Sequence, residues 1–196
     1  TLAITGKPVP QIPSSYEVCD DVVAGGDTDG FFNNFLLNTK DAQILGTLPT
    51  NLYEVSYHTT LTGAQTDNST DVIDKNTPYR NTNANSQTVF VRVENKNNAA
   101  CNDTSQSFNL IVNPLPVINN IVELKQCDND TDAFADFNLE EARSNISANY
   151  LNETFVFYPT LADAQNNTAP ITNPTVFPNR TVTSDIVWAR AITSNG

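Results

Sequence analysis

The residues best suited to chemistry are acidic, and they gather beside cysteines. Asp128, Asp130 and Asp132 alternate with Asn129 and Thr131. Carboxylates at i, i+2 and i+4 of a loop converge on a hard cation while backbone carbonyls fill the gaps. The pattern points to a structural Ca²⁺ site, with Asp136 completing the shell. A second set, Asp20, Asp27 and Asp29, is interrupted by an insertion from Val22 to Gly26 that is expected to project outward. The match to an EF-hand is partial: Ala133 stands at the turn-glycine position and Leu139 where the bidentate Glu belongs. Without a metal, both stretches read as acidic, solvated turns. Cys19, Cys101 and Cys127 form neither a Cys-x-x-Cys redox motif nor a paired-cysteine metal site. His58 is the only histidine. A base needs an imidazole near neutral pH, and His58 is assigned instead to the outer face of a strand. A glycosidase-like carboxylate pair requires a sugar cleft, and few aromatics remain to line one. These residues argue against an enzyme.

The acidic and cysteine-bearing segments occur twice because the chain repeats itself. Pro8-Val9-Pro10-Gln11-Ile12 returns as Pro114-Leu115-Pro116-Val117-Ile118, and Cys19-Asp20 as Cys127-Asp128. Asp27-Thr28-Asp29-Gly30-Phe31 returns as Asp130-Thr131-Asp132-Ala133-Phe134. The stretch from Val55 to Gln65 matches that from Phe155 to Gln165, and Phe90-Val91-Arg92-Val93 matches Trp188-Ala189-Arg190-Ala191. The offset drifts from 108 at the cysteines to 98 at the last strand, as small loop indels require. Two units follow, residues 1–113 and 114–196, the second shortened at its C-terminal side. The prolines of Asn113-Pro114-Leu115-Pro116 fix φ and make a short, stiff joint. A start at Thr1 and a stop at Gly196 in mid-pattern read as a piece of something larger.

The elements that position these segments are strands. Tyr53, Val55 and Tyr57 alternate with polar neighbours, as do Val89, Val91 and Val93, then Phe108, Leu110 and Val112, and in the second unit Phe155 and Phe157. Such period-two runs, separated by loops rich in Asn, Asp, Thr and Pro, predict an all-β fold. The expectation is two tandem Ig-like β-sandwich domains arranged end to end. Short helical turns are expected at 40–45, at 138–144 and in the Thr-Leu-x-x-Ala-Gln stretch after each aromatic strand. Phe90 and Trp188 lie opposite the valine stripe and are assigned to a second layer or a domain interface. The 27 Asn and 24 Thr among 196 residues disfavour a helical bundle. The net charge of −12 excludes a phosphate-binding surface for nucleic acid and disfavours an anionic membrane. No apolar run of 18 residues exists, so no segment inserts in a membrane as a helix. The repeat register places Cys19 at the start of unit one and Cys101 near its end, which predicts a Cys19–Cys101 disulfide in an oxidising compartment. Cys127 would lack its mate, which falls near position 199.

These motifs together resemble a known group. They are the Pro-x-Pro start, the Cys-Asp acidic loop closing on Gly30-Phe31, Tyr57-His58-Thr59 followed by Ala64-Gln65, and Pro78-Tyr79-Arg80-Asn81. Val91-Arg92-Val93-Glu94-Asn95 and a late cysteine before Phe108-x-Leu110-x-Val112 complete the set. The chain resembles the tandem repeats of very large surface proteins of gliding Bacteroidota, which are similar to gliding-motility adhesins exported by type IX secretion. The resemblance implies an extracellular, outer-membrane-associated location and no catalytic residues. It also implies neighbouring repeats of the same chain as partners, the type IX machinery during export, and a surface polysaccharide or substratum as target. A rigid spacer in surface attachment is the function expected; a glycan- or protein-binding module of a secreted protein is the alternative.

Overall fold

A computed structural model describes residue 4 and residues 6–26 and 28–194. The chain divides into two compact units, Thr1–Leu115 and Pro116–Gly196. Most regular structure is strand, so the fold is all-β. No helix among the described residues is long and apolar enough to cross a membrane.

Unit one is built on β1 (Tyr16–Cys19), β2 (Tyr53–His58), β3 (Val72–Ile73), β4 (Ser86–Asn95), β5 (Asn98–Asp103) and β6 (Ser107–Asn113). They form a sheet of order β1-β6-β4-β2-β3, with β5 also pairing β4. Among the described residues only β1 and β6 run parallel; the other pairs are antiparallel. β5 and β6 share one edge of β4, at Val93–Asn95 and Ser86–Phe90 respectively. The period-two stripes face inward: Val89, Val91, Val93, Phe108, Leu110 and Val112 are buried. Across from them lie Phe35, Leu37 and the short helix α1 (Asp41–Leu45) with Ile44 and Leu45. Phe35 also pairs with Tyr79 through an isolated antiparallel bridge.

The second helix, α2 (Leu61–Thr66), is started by Thr60, whose hydroxyl accepts from the Gly63 N–H, and stopped by Asp67 in the left-handed region. It packs on the opposite face of β2 and β4. His58 is fully buried. The outer-face assignment for His58 is therefore corrected: period two puts it opposite Tyr57, and α2 covers that side as well.

Unit two repeats the plan with β7 (Asp136–Phe137), α3 (Arg143–Ile146), β8 (Glu153–Tyr158), α4 (Leu161–Asn166), β9 (Phe177–Pro178) and β10 (Trp188–Thr193). β8 pairs β10 as β2 pairs β4, and β7 pairs β9 as Phe35 bridges Tyr79. A 3₁₀ turn at Leu139–Ala142 runs into α3, where a helical turn is expected from the sequence. α4 carries the same cap as α2: Thr160 accepts from Asp163 N–H, and Asn167 is left-handed. Leu139, Ala142, Ile146, Phe155 and Phe157 form the core.

Candidate functional site

Asp20 is 3% exposed, and its carboxylate holds the loop that follows β1. Oδ2 accepts from Gly30 N–H at 2.7 Å and Oδ1 from Asp21 N–H at 2.9 Å. Gly30 has φ +77, and a Cβ there would meet Asn85 N at 2.5 Å. Glycine is needed at that closure. Asp29 turns its oxygens to Gly26 and Phe31 N–H groups. Asp27 lies outside the described residues. Asp20 serves as a loop clamp, both of its carboxylate oxygens accepting backbone N–H groups. The inserted stretch forms its own turn on Asp21 Oδ1, which accepts from Val23 and Ala24 N–H.

In unit two, Asp128 takes the place of Asp20. Its Oδ2 accepts from Ala133 N–H at 2.7 Å, and its Oδ1 accepts from Asp130 and Thr131 N–H. These donors, Ala133 first, hold its pKa below the ordinary carboxylate value. The hydrogen bond with Asp132 pushes that of Asp130 up. Asp128, Asp130 and Asp132 present ligand oxygens within 4.8 Å of one another, all exposed. Asp136 is on β7 and outside this group.

An asparagine that the site reading missed locks both loops. Asn81, 1% exposed, accepts from Phe32 N–H at 2.7 Å and donates to Gly30 and Asn83 carbonyls, each at 2.8 Å. Asn179 accepts from Ala135 N–H at 2.7 Å and donates to Ala133 at 3.1 Å and Thr181 at 2.7 Å. The signal was in the sequence, as the Asn that ends the Pro-Tyr-x-Asn segment and returns after Phe177-Pro178.

The Ser56 hydroxyl and His58 Nε2 lie 3.0 Å apart. A charge relay would need a carboxylate on Nδ1, and that buried nitrogen has no hydrogen-bond partner among the described residues. Burial first, then Arg92, lowers the His58 pKa against the opposing pull of Asp67 and Asp71. The pair is part of the packing under α2.

The strand registers place the cysteines at opposite ends of unit one. Cys19 stands beside Asn113, the last residue of β6. Cys101 lies in β5, between the pairs Asn95–Asn98 and Glu94–Asn102. At about 3.3 Å per residue along β4, the two cysteines are about 30 Å apart. A disulfide requires Cα atoms within about 7 Å. The expected Cys19–Cys101 bond is therefore corrected: order along the chain put the cysteines at the two ends of the unit's sequence, and the sheet puts them at two ends of its length. Near Cys101, Lys7 Nζ is 2.9 Å from Asp103 Oδ2. The chain therefore comes in at the Cys101 end and leaves at the Cys19 end.

The comparison with family models matches residues 15–116 and 123–196 to one domain, described as the Flavobacterium inter-domain disulphide bond domain. The chain belongs to this family. Two consecutive copies make it a tandem-domain protein of the kind found in Bacteroidota, as the duplicated motifs lead one to expect. No curated protein and no solved structure matches the chain.

Pro159, Leu161, Arg180, Asp185, Ile186 and Trp188 line an open cleft of about 460 Å³. Arg180 is fixed there by Asp185, at 2.6 Å from Nη2 to Oδ1. The Arg180 hydrogen bond pulls the Asp185 carboxyl down to about 2.

Proposed function

We propose that these units are two links of a secreted cell-surface repeat protein, each bonded to its neighbours by disulfides. The segment is a non-enzymatic spacer that carries an adhesive part outward in surface attachment or gliding. What supports this is the placement of one cysteine at each end of unit one, read with the inter-domain disulfide in the family's description. The cysteine where a unit's chain leaves, Cys19, is proposed to bond the Cys101-equivalent of the unit that follows. Cys127 would do the same one unit on. In each bond two thiols lose their protons and two electrons to a disulfide oxidant, which is reduced to two thiols.

The finer fold reading belongs with this proposal. β1, β6, β4, β2 and β3 correspond to one layer of an Ig-like sandwich, and the Phe35–Tyr79 bridge to a reduced second layer. Export by the type IX machinery, an outer-membrane-associated location and a surface polysaccharide or substratum as target are part of the same reading. The Asp128–Asp130–Asp132 loop is proposed as a structural Ca²⁺ site. The alternative, a glycan- or protein-binding module, draws on the Trp188 cleft.

Peptide mapping of the unreduced natural polypeptide tests the connectivity. A Cys19 peptide joined to the late cysteine of the next unit supports it. A Cys101–Cys127 link would keep an inter-domain bond but reverse the connectivity. A Cys19–Cys101 link would overturn both. In the 196-residue chain, thiol titration of denatured, unreduced protein is expected to give three thiols; one thiol would show a bond within it.

A further inference from the structure

In unit one an amine, a carboxylate and a phenol meet between α1 and β2. Asp41 is the first residue of α1, and Lys75 follows β3 by two residues. Lys75 Nζ lies 2.7 Å from Asp41 Oδ2 and donates to the Val55 carbonyl at 2.8 Å. The Tyr57 hydroxyl donates to the other carboxylate oxygen, Oδ1, at 2.7 Å. Tyr57 is fully buried, and the Lys75 and Asp41 side chains are 26% and 27% exposed.

Three observations set this cluster apart from an ordinary ion pair. First, its surroundings suit an amide. An acceptor, the Val55 carbonyl, faces the nitrogen, and a donor, the Tyr57 hydroxyl, faces Oδ1. A neutral amide joining Nζ to Cγ retains both hydrogen bonds and removes two charges that are costly to hold away from water. Second, the parts that condensation needs are already in contact: a nucleophile beside a carboxyl group, and a donor on the oxygen that must carry negative charge. Burial first, then the hydrogen bond to Asp41 and its charge, raises the Tyr57 pKa, so the hydroxyl holds its proton. Third, the cluster belongs to unit one alone. Leu37 and Ile44 match Leu139 and Ile146, which puts Arg143 at the place of Asp41. Phe157 stands in place of Tyr57, and no lysine follows Lys125. The shared α1–β2 packing therefore forms without these three groups.

We propose that Asp41 and Lys75 condense into an intramolecular isopeptide bond. The Lys75 ammonium passes one proton to Asp41 Oδ2, leaving an amine beside a carboxylic acid. The nitrogen lone pair attacks Cγ, and the carbonyl electron pair moves onto Oδ1, where the Tyr57 hydroxyl stabilises it. A second Nζ proton moves to Oδ2, the Cγ–Oδ2 bond breaks, and water leaves as the carbonyl re-forms. One C–N bond replaces one C–O bond, and neither an oxidant nor a co-reactant is consumed. The last Nζ proton becomes the amide N–H and stays on the Val55 carbonyl. The link ties α1 to the chain after β3 and is independent of the disulfide connectivity.

Intact mass of the folded and then reduced 196-residue chain is the test. It is expected to be lighter than the sequence by one water. Proteolysis should release a branched peptide in which Asp41 acylates Lys75 Nζ. Lys75→Arg should restore the full mass. Tyr57→Phe gives unit one the residue that unit two already folds with, so the fold is expected to survive. Its link should form roughly a hundredfold more slowly after refolding, from loss of the donor on Oδ1. Full mass in the wild-type chain, with Lys75 Nζ reacting with an amine reagent once denatured, would overturn the proposal. A missing water that maps to another residue would overturn it as well. An unchanged rate in Tyr57→Phe would overturn the part given to Tyr57.

Discussion

β4 and β10 descend from one sequence, yet they live differently. β4 is paired on both edges, and its Arg92 is 4% exposed, donating to Glu94 and to the Ala64 and Ala99 carbonyls. Among the described residues β10 is paired with β8 alone, and Arg190 is half-buried. The alternating pattern is the same in both. Pattern decides which face turns inward, but a third strand decides how dry that face becomes. Val at 89, 91 and 93 against Val, Ala and Ala at 187, 189 and 191 follows the same division.

The largest expected effect breaks the covered side of this comparison. Leu110 is fully buried on β6, and Leu110→Ala should cost unit one about 2–5 kcal/mol. Urea unfolding read by tyrosine and far-UV signals should move, while the Trp188 signal of unit two should not. Equal movement of both signals would show that the units do not unfold independently. Next come the asparagine locks. Asn81→Ala should cost about 1–3 kcal/mol, because a buried N–H and carbonyls lose their partners. Asn179→Ala should cost less, since its loop is more open.

A third prediction concerns pH in unit one. The folded-state pKa of His58 is lowered, so its neutral form is the stable one. Stability is whole above the unfolded histidine value near 6.5 and falls as pH drops below it. Tyr158 OH, at the equivalent position, donates to Asn167. The double change His58→Tyr, Asp67→Asn should copy that bond and flatten the melting temperature of unit one between pH 7 and 5. Unit two has its own acid limb, smaller because its pair is partly solvated. Asp185, pulled down to about 2, contributes stability above about pH 4 that is lost on titration toward pH 2. Asp185→Asn should remove a component of about 1 kcal/mol. The smallest expectation is for Ca²⁺, which should raise the melting temperature of unit two but not of unit one. Asp130→Asn with Asp132→Asn should abolish the increment, and equal melting in millimolar Ca²⁺ and in chelator would reduce the loop to an acidic turn.

The strands and their inward faces were legible because alternation is local: Val55, Tyr57, Val89 and Leu110 announce themselves. The helical turns after β2 and β8 were legible from the repeated Thr-Leu-x-x-Ala-Gln. His58 was not, because a second buried face depends on where α2 packs, which no period reports. The cysteine geometry was hidden for a related reason. Cys19 and Cys101 frame unit one in sequence, but whether framing residues meet depends on strand direction, and the parallel β1–β6 pair sends them apart. Asp20 looked like a ligand because a carboxylate that caps backbone N–H groups and one that binds a cation are the same residue type.

That parallel pair has a mechanical consequence. Pulling on the two ends of unit one draws β1 and β6 along their own length in opposite senses. The hydrogen bonds between Tyr16–Cys19 and Leu110–Asn113 are then loaded together, in shear, instead of opening one after another like a zip. A unit joined this way resists tension at its termini with the whole length of the contact.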